Sequence, residues 1–200
     1  MSSPSLTRRA LFLTLVALQW RPALLHAIPC QDVLDTLKSV TALLGFETKL
    51  LLQEYKLFHG LTKVTPSKVP DASVVGADFP EQLQDIFAKS VQYSRRMEYV
   101  EQYQTQDWGN PESVGQVLRR VKFGLYSQTN LLRVLARQVQ PEVLLATEEP
   151  PPPSDNHGYA KKMYGLRAIV GLRDWLTRVL QTLQEARQVC HDQTLTTRTY

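Results

Sequence analysis

Two pairs of side chains in the C-terminal part of this 200-residue chain have the types and spacing of recognition chemistry. Tyr159 and Lys162 stand three residues apart, and so do Trp175 and Arg178. On a helix, residues at that spacing share a face. An exposed aromatic ring buries apolar area against a partner, and a lysine stem lies along it while the ammonium finds a carboxylate. Binding interfaces concentrate their energy in such anchors. A plainer reading stands beside each pair: Tyr159 caps the core and Lys162 is solvated, or Trp175 joins the buried stripe and Arg178 is a solvated charge.

Bond-making chemistry has no comparable signature. His59, His157 and His191 show no metal-ligand spacing. The chain carries no glycine-rich phosphate loop and no recognisable nucleophile motif. It is therefore expected to be no enzyme and to use no cofactor or metal. The proline run from Pro150 to Pro153 invites reading as a ligand for a proline-binding domain. A stiff spacer between helices is the simpler account.

The first 27 residues read as a signal peptide. Arg8 and Arg9 form a basic start, Ala10 to Leu18 an apolar run, and Leu25-His26-Ala27 a small-residue cleavage site. That run is far short of the roughly 20 residues a membrane span needs. The expected mature chain, residues 28–200, is a secreted single domain, large enough to bury a sizeable core. Losing Arg8, Arg9 and Arg21 leaves 20 basic residues against 19 acidic ones, a net charge of +1. Such a balance gives no electrostatic case for nucleic acid or an anionic membrane as partner. Residues 191–200 form a polar tail.

Four helical stripes organise the mature chain. The first, about Gln31 to Phe58, places Leu37, Val40, Leu44, Leu51, Tyr55 and Phe58 on one face. The second, about Pro80 to Tyr103, does the same with Leu83, Phe87, Val91, Met97 and Val100. The third starts at an Asn110 cap with Pro111 in the first turn and runs to about Val139. The fourth follows Ser154-Asp155-Asn156 and runs to about Cys190, with Leu166, Ile169, Leu176, Leu180 and Leu183 inward. Gly165 and Gly171 interrupt it, each at about 1 kcal/mol against alanine, and close helix packing is the expected reason. No sustained period-two alternation suggests a strand. The fold class expected is all-α.

Loop lengths select a topology. A 25-residue helix is roughly 37 Å long, so joining two parallel helices takes at least about 11 extended residues. The segments 59–79 and 140–158 are long enough; the link near Asp107-Trp108-Gly109 is not. Long, short, long implies a long-chain four-helix bundle, up-up-down-down with two long crossover loops. That arrangement puts the start of the first helix and the end of the fourth at one end of the bundle. Cys30 and Cys190, the two cysteines, are therefore expected to form a disulfide. Unpaired thiols, or pairing with another molecule, are the alternatives.

The fourth helix carries a resemblance as well. Tyr159, Lys162, Gly165-Leu166, Leu172, Trp175, Arg178 and Leu183, at these offsets, resemble the last helix of the interleukin-6-type cytokines, in the ciliary neurotrophic factor and cardiotrophin branch. Tyr-Lys-Leu-Phe-His-Gly-Leu at Tyr55 to Leu61 is similar to the end of that family's first helix. The resemblance implies a monomeric secreted cytokine. It would join the family's shared signal-transducing receptor to the leukaemia inhibitory factor receptor, with an alpha receptor as a possible third chain, and so activate Janus kinase and STAT signalling. It implies further that Tyr159 and Lys162 engage the leukaemia inhibitory factor receptor. Arg178 would belong to the surface facing the alpha receptor, and Trp175, if it stands at the edge of the helix and not in the core, would be a further receptor contact. The outward faces of helices one and three, with Lys49, Gln53, Lys56, Arg119, Arg120 and Gln128, would meet the shared receptor. One departure is Tyr159, where the family has phenylalanine. The rival readings are a leptin- or growth-hormone-like hormone acting through a receptor homodimer, and a secreted helical lipid carrier.

Overall fold

A computed structural model describes residues 29–109, 111–141, 157–186 and 190. Four long helices make up most of it: α1 (Cys30–Phe58), α2 (Phe79–Trp108), α3 (Glu112–Val139) and α4 (Gly158–Glu185). Among the described residues there is no strand. The chain is all-α, and the main packing joins each of α1 and α2 to both α3 and α4. The signal segment, the proline run, the tail and the cap residues Asn110 and Ser154 to Asn156 lie outside the described residues.

Local chemistry explains the ends. Asp78 caps α2, its carboxylate accepting from the Glu81 N–H at 2.9 Å, while Glu81 accepts in turn from the Ala77 N–H at 2.8 Å. At the other end Gly109 takes a left-handed conformation (φ 71°) and donates to the Gln104 carbonyl. Helix α2 thus runs more than a turn past Tyr103, where the sequence pattern placed its end. Helix α4 is continuous to Glu185 among the described residues, and Cys190, where the sequence pattern placed its end, is itself helical.

The apolar stripes meet in one core. Leu34, Leu37, Leu44 and Leu51 of α1 are buried there with Leu83, Ile86 and Met97 of α2, Leu118, Val121, Leu125 and Leu132 of α3, and Leu166, Ile169 and Leu172 of α4. Truncating any one of these leucines to alanine removes about 2–5 kcal/mol. Three expected members sit at the margin instead: Val40, Val91 and Leu180 are half-buried. Phe58 is exposed, because it lies in the last turn of α1 past the packed stripe.

Polar residues hold positions on the stripes too. Gln128 of α3, expected on the outer face, is fully buried. Its amide donates to Thr41 Oγ1 of α1 at 3.0 Å and accepts from Ser90 Oγ of α2 at 3.4 Å. Ser90 also pairs with Thr129 Oγ1 at 2.7 Å. Three helices are thereby fixed in register, since any slide leaves buried polar groups unpaired. At the end of the molecule Cys30 is bonded to Cys190, with their Cα atoms 5.5 Å apart.

Both inner glycines of α4 serve close packing. A Cβ on Gly165 would overlap the Tyr55 hydroxyl and ring. One on Gly171 would stand 2.9 Å from the Tyr93 hydroxyl and 3.0 Å from Pro70 Cδ.

Candidate functional site

The last turn of α1, the last turn of α2 and the first turns of α4 build one corner. Tyr55 of α1, buried, donates from its hydroxyl to the Lys162 carbonyl of α4 at 3.1 Å. Burial raises the pKa of its phenol, so the hydroxyl stays protonated to donate. His59 follows in the turn after α1, its ring 4.4 Å from that of Tyr55, 4.8 Å from Phe58 and 4.7 Å from Trp108 of α2. Gln104 of α2 closes the box, its amide nitrogen 2.7 Å from His59 Nε2. Burial holds the His59 pKa down at about 4, and the Lys162 charge lowers it too, against the raising effect of the Gln104 bond. The ring is therefore neutral at pH 7, and its Nε2 accepts from the Gln104 amide.

On this base stand the exposed groups. Tyr159, 67% exposed, occupies the first turn of α4, and Leu57 (70%) and Phe58 project from the last turn of α1. Lys162 lies with its ammonium 5.7 Å from the centre of the Trp108 ring. Its neighbour Lys161 is engaged differently, paired with Asp107 at 2.8 Å and set 5.0 Å over the Tyr103 ring. The structure thus keeps Tyr159 exposed and seats Lys162 on an aromatic floor, with no carboxylate partner for it among the described residues.

The second pair is split. Trp175 is fully buried and its ring lies 5.1 Å from that of Tyr93, a core residue of α2. A side chain at 0% exposure cannot touch a receptor while the bundle is closed. Trp175 is therefore corrected from candidate contact to core, because its position falls on the buried stripe of α4. Arg178 is exposed and donates within its own helix to Gln181 at 3.3 Å. It stands about 24 Å from Lys162 along the helix axis at 1.5 Å per residue, so the two belong to separate surfaces.

A further concave surface lies between α1 and α3. Val40, Leu43, Leu44, Phe123 and Gly124 line an open groove of about 580 Å³. Phe123 is 72% exposed there. Arg120 bridges the rim to Glu47 at 2.9 Å, and Arg119 is exposed beside it. Of the other residues expected on these outward faces, Lys49 and Gln53 are exposed, Lys56 is half-buried and Gln128 is internal.

Sequence reasoning missed the box under the corner. His59 and Gln104 are 45 residues apart and neither sits in a motif. One signal was present: Met97, Val100 and Gln104 follow the three-and-four spacing of a buried stripe.

Among the described residues no helix is long and apolar enough to cross a membrane, and no three His, Cys, Asp or Glu side chains cluster to hold a metal. No protein-family model, curated protein or solved structure matches this chain.

Proposed function

We propose that this chain is a secreted four-helix cytokine, up-up-down-down in topology, which acts by holding receptor chains together and carries out no chemistry. The resemblance of α4 and of Tyr55 to Leu61 to the ciliary neurotrophic factor and cardiotrophin branch suggests the partners. They are the shared signal-transducing receptor, the leukaemia inhibitory factor receptor and, as a third chain, an alpha receptor.

Residue pairings favour the topology. Late residues of α1 meet early residues of α4 (Tyr55 with Lys162), and Glu47 and Thr41 of α1 meet Arg120 and Gln128 of α3 in reverse order. In α2, Ser90 meets Gln128 and Glu101 meets Lys122, again reversed. His59 against Trp108 brings the ends of α1 and α2 together. These relations suit two parallel helices packed against two that run the other way.

The observation that carries the functional reading is the exposure of Tyr159 beside Lys162, on a corner that also leaves Leu57 and Phe58 in solvent. Large apolar side chains gathered at a rigid helix end mark an interaction surface. The α1–α3 groove, with Phe123 and the two arginines, supplies a separate surface for the shared receptor. Two separate surfaces are the minimum for joining two receptor chains.

The test is binding of the purified chain to immobilised ectodomains of the two receptors. Tyr159→Ala and Lys162→Ala are expected to weaken binding to the leukaemia inhibitory factor receptor about 10- to 30-fold, the range of one or two anchor contacts, and to leave shared-receptor binding unchanged. Phe123→Ala is expected to do the reverse. Wild-type binding to neither ectodomain contradicts the reading.

A further inference from the structure

We propose that His59 is an acid-operated latch: protonation of its ring opens the corner formed by the ends of α1 and α2 and the start of α4, and so weakens receptor contact through Tyr159 and Lys162 in acidic compartments. The proposal rests on reading that corner as receptor-facing.

The geometry is that of a buried imidazole whose partner at Nε2 is a hydrogen-bond donor. His59 is nearly enclosed, walled by Tyr55, Phe58 and Trp108. Its Nε2 takes the Gln104 amide at 2.7 Å. A proton placed on Nε2 would point at the hydrogens of that amide, so the bond must break or Gln104 must turn. Gln104 Oε1 is itself buried and accepts no hydrogen bond, and the same side chain also acts on the Tyr55 phenol, so a turn of the amide disturbs both rings.

The charged and titratable neighbours all act in one direction. From α1 the ring faces the Tyr55 phenol, neutral and engaged with the Lys162 carbonyl. From α2 it faces the Gln104 amide and the Trp108 indole, both uncharged. From α4 comes the Lys162 ammonium, which opposes a second cation. Among the described residues no carboxylate acts on the ring, and Asp107 beside Trp108 is already paired with Lys161. Staying closed leaves a charged His59 only the Gln104 bond, which burial and the Lys162 charge outweigh. The ring gains hydration and distance from Lys162 by opening.

Linkage sets the size of the effect. The closed ring titrates at about 4, whereas an opened, solvated one returns to about 6.5. Between pH 7.4 and pH 5.5 the ratio of open to closed corner then rises about tenfold.

Amide hydrogen exchange on the full chain at pH 7.4 and 5.5, corrected for the intrinsic exchange rate, reads this directly. The expected result is about a tenfold loss of protection around Leu57 to Leu61, Trp108 and Tyr159 to Met163, absent in His59→Gln. Equal acid sensitivity in His59→Gln overturns the latch. So does an NMR titration of the wild-type ring with a midpoint near 6.5, a measurement that needs no variant to fold. Dissociation from the leukaemia inhibitory factor receptor ectodomain is expected to quicken at pH 5.5 in wild type and not in His59→Gln. Absence of binding at pH 7.4 overturns the receptor reading and the functional half of the proposal, while hydrogen exchange still decides the latch.

Discussion

Replacing Gly165 with alanine puts a methyl group where the Tyr55 phenol stands. Helix propensity alone favours that change by about 1 kcal/mol. The site opposes it, because the added Cβ would overlap Tyr55 Oη and Cζ. Tyr55 has little room to yield: it is buried, its hydroxyl is bonded to the Lys162 carbonyl at 3.1 Å, and its ring lies against His59. Forcing it aside costs about 1–3 kcal/mol in repacking and about 1 kcal/mol for the broken hydrogen bond. A net destabilisation of about 1–3 kcal/mol follows. For a chain of this size that lowers Tm by roughly 3–9 °C. Gly45 is the internal control, a helical glycine whose Cβ would meet nothing within 4 Å, and Gly45→Ala is expected to raise Tm by about 2–4 °C. Tyr55→Phe removes the atom nearest the new methyl, so Gly165→Ala should cost at least about 1 kcal/mol less in that background. Thermal and urea unfolding followed by circular dichroism measure wild type and the four variants. A Gly165→Ala chain stabilised as much as Gly45→Ala would refute the reasoning.

Other expectations follow from the same packing. Gln128→Ala leaves Thr41 and part of the Ser90 network unpaired beside a cavity, and is expected to lower urea stability by about 2–4 kcal/mol. Thiol titration of the denatured, unreduced chain should find no free cysteine, and replacing both Cys30 and Cys190 with serine should lower stability by about 2–5 kcal/mol, since the bridge closes a 160-residue loop. His59 binds its proton more weakly in the fold, at about 4, than in the unfolded chain, at about 6.5. Its neutral form therefore supports full stability above pH 6.5, and up to about 3 kcal/mol is lost as pH falls to 4; the difference between wild type and His59→Gln across pH 4–7 measures it.

The four helices were legible in the sequence because their apolar residues recur at three and four, and the pairing of Cys30 with Cys190 agrees with the topology read from loop length. The polar members of the core were harder to see. Thr41, Gln128 and Gln104 occupy stripe positions between leucines, valines and methionines, and residue type argued for solvent where spacing argued for burial. Gln128 shows which signal is stronger: Leu125 and Leu132 bracket it at three and four, and it is buried. Trp175 was ambiguous for a related reason, since the same periodicity admits the edge and the centre of a stripe. Neighbouring Tyr93, which decides the matter, is on another helix. The His59 box lay beyond sequence reasoning because its members come from three helices, and only tertiary packing brings an unremarkable histidine against Gln104, Trp108 and Lys162.

The central claim, a receptor-joining cytokine whose α4 corner is one of its contacts, is tested most directly by STAT phosphorylation in cells. The cells carry the shared signal-transducing receptor, with or without the leukaemia inhibitory factor receptor, and receive wild type, Tyr159→Ala or Lys162→Ala. The account predicts a response that needs both receptors and shifts to at least about tenfold higher dose with either variant, each as stable as wild type. A wild-type response that is the same with or without the leukaemia inhibitory factor receptor, or unchanged by both substitutions, would contradict it.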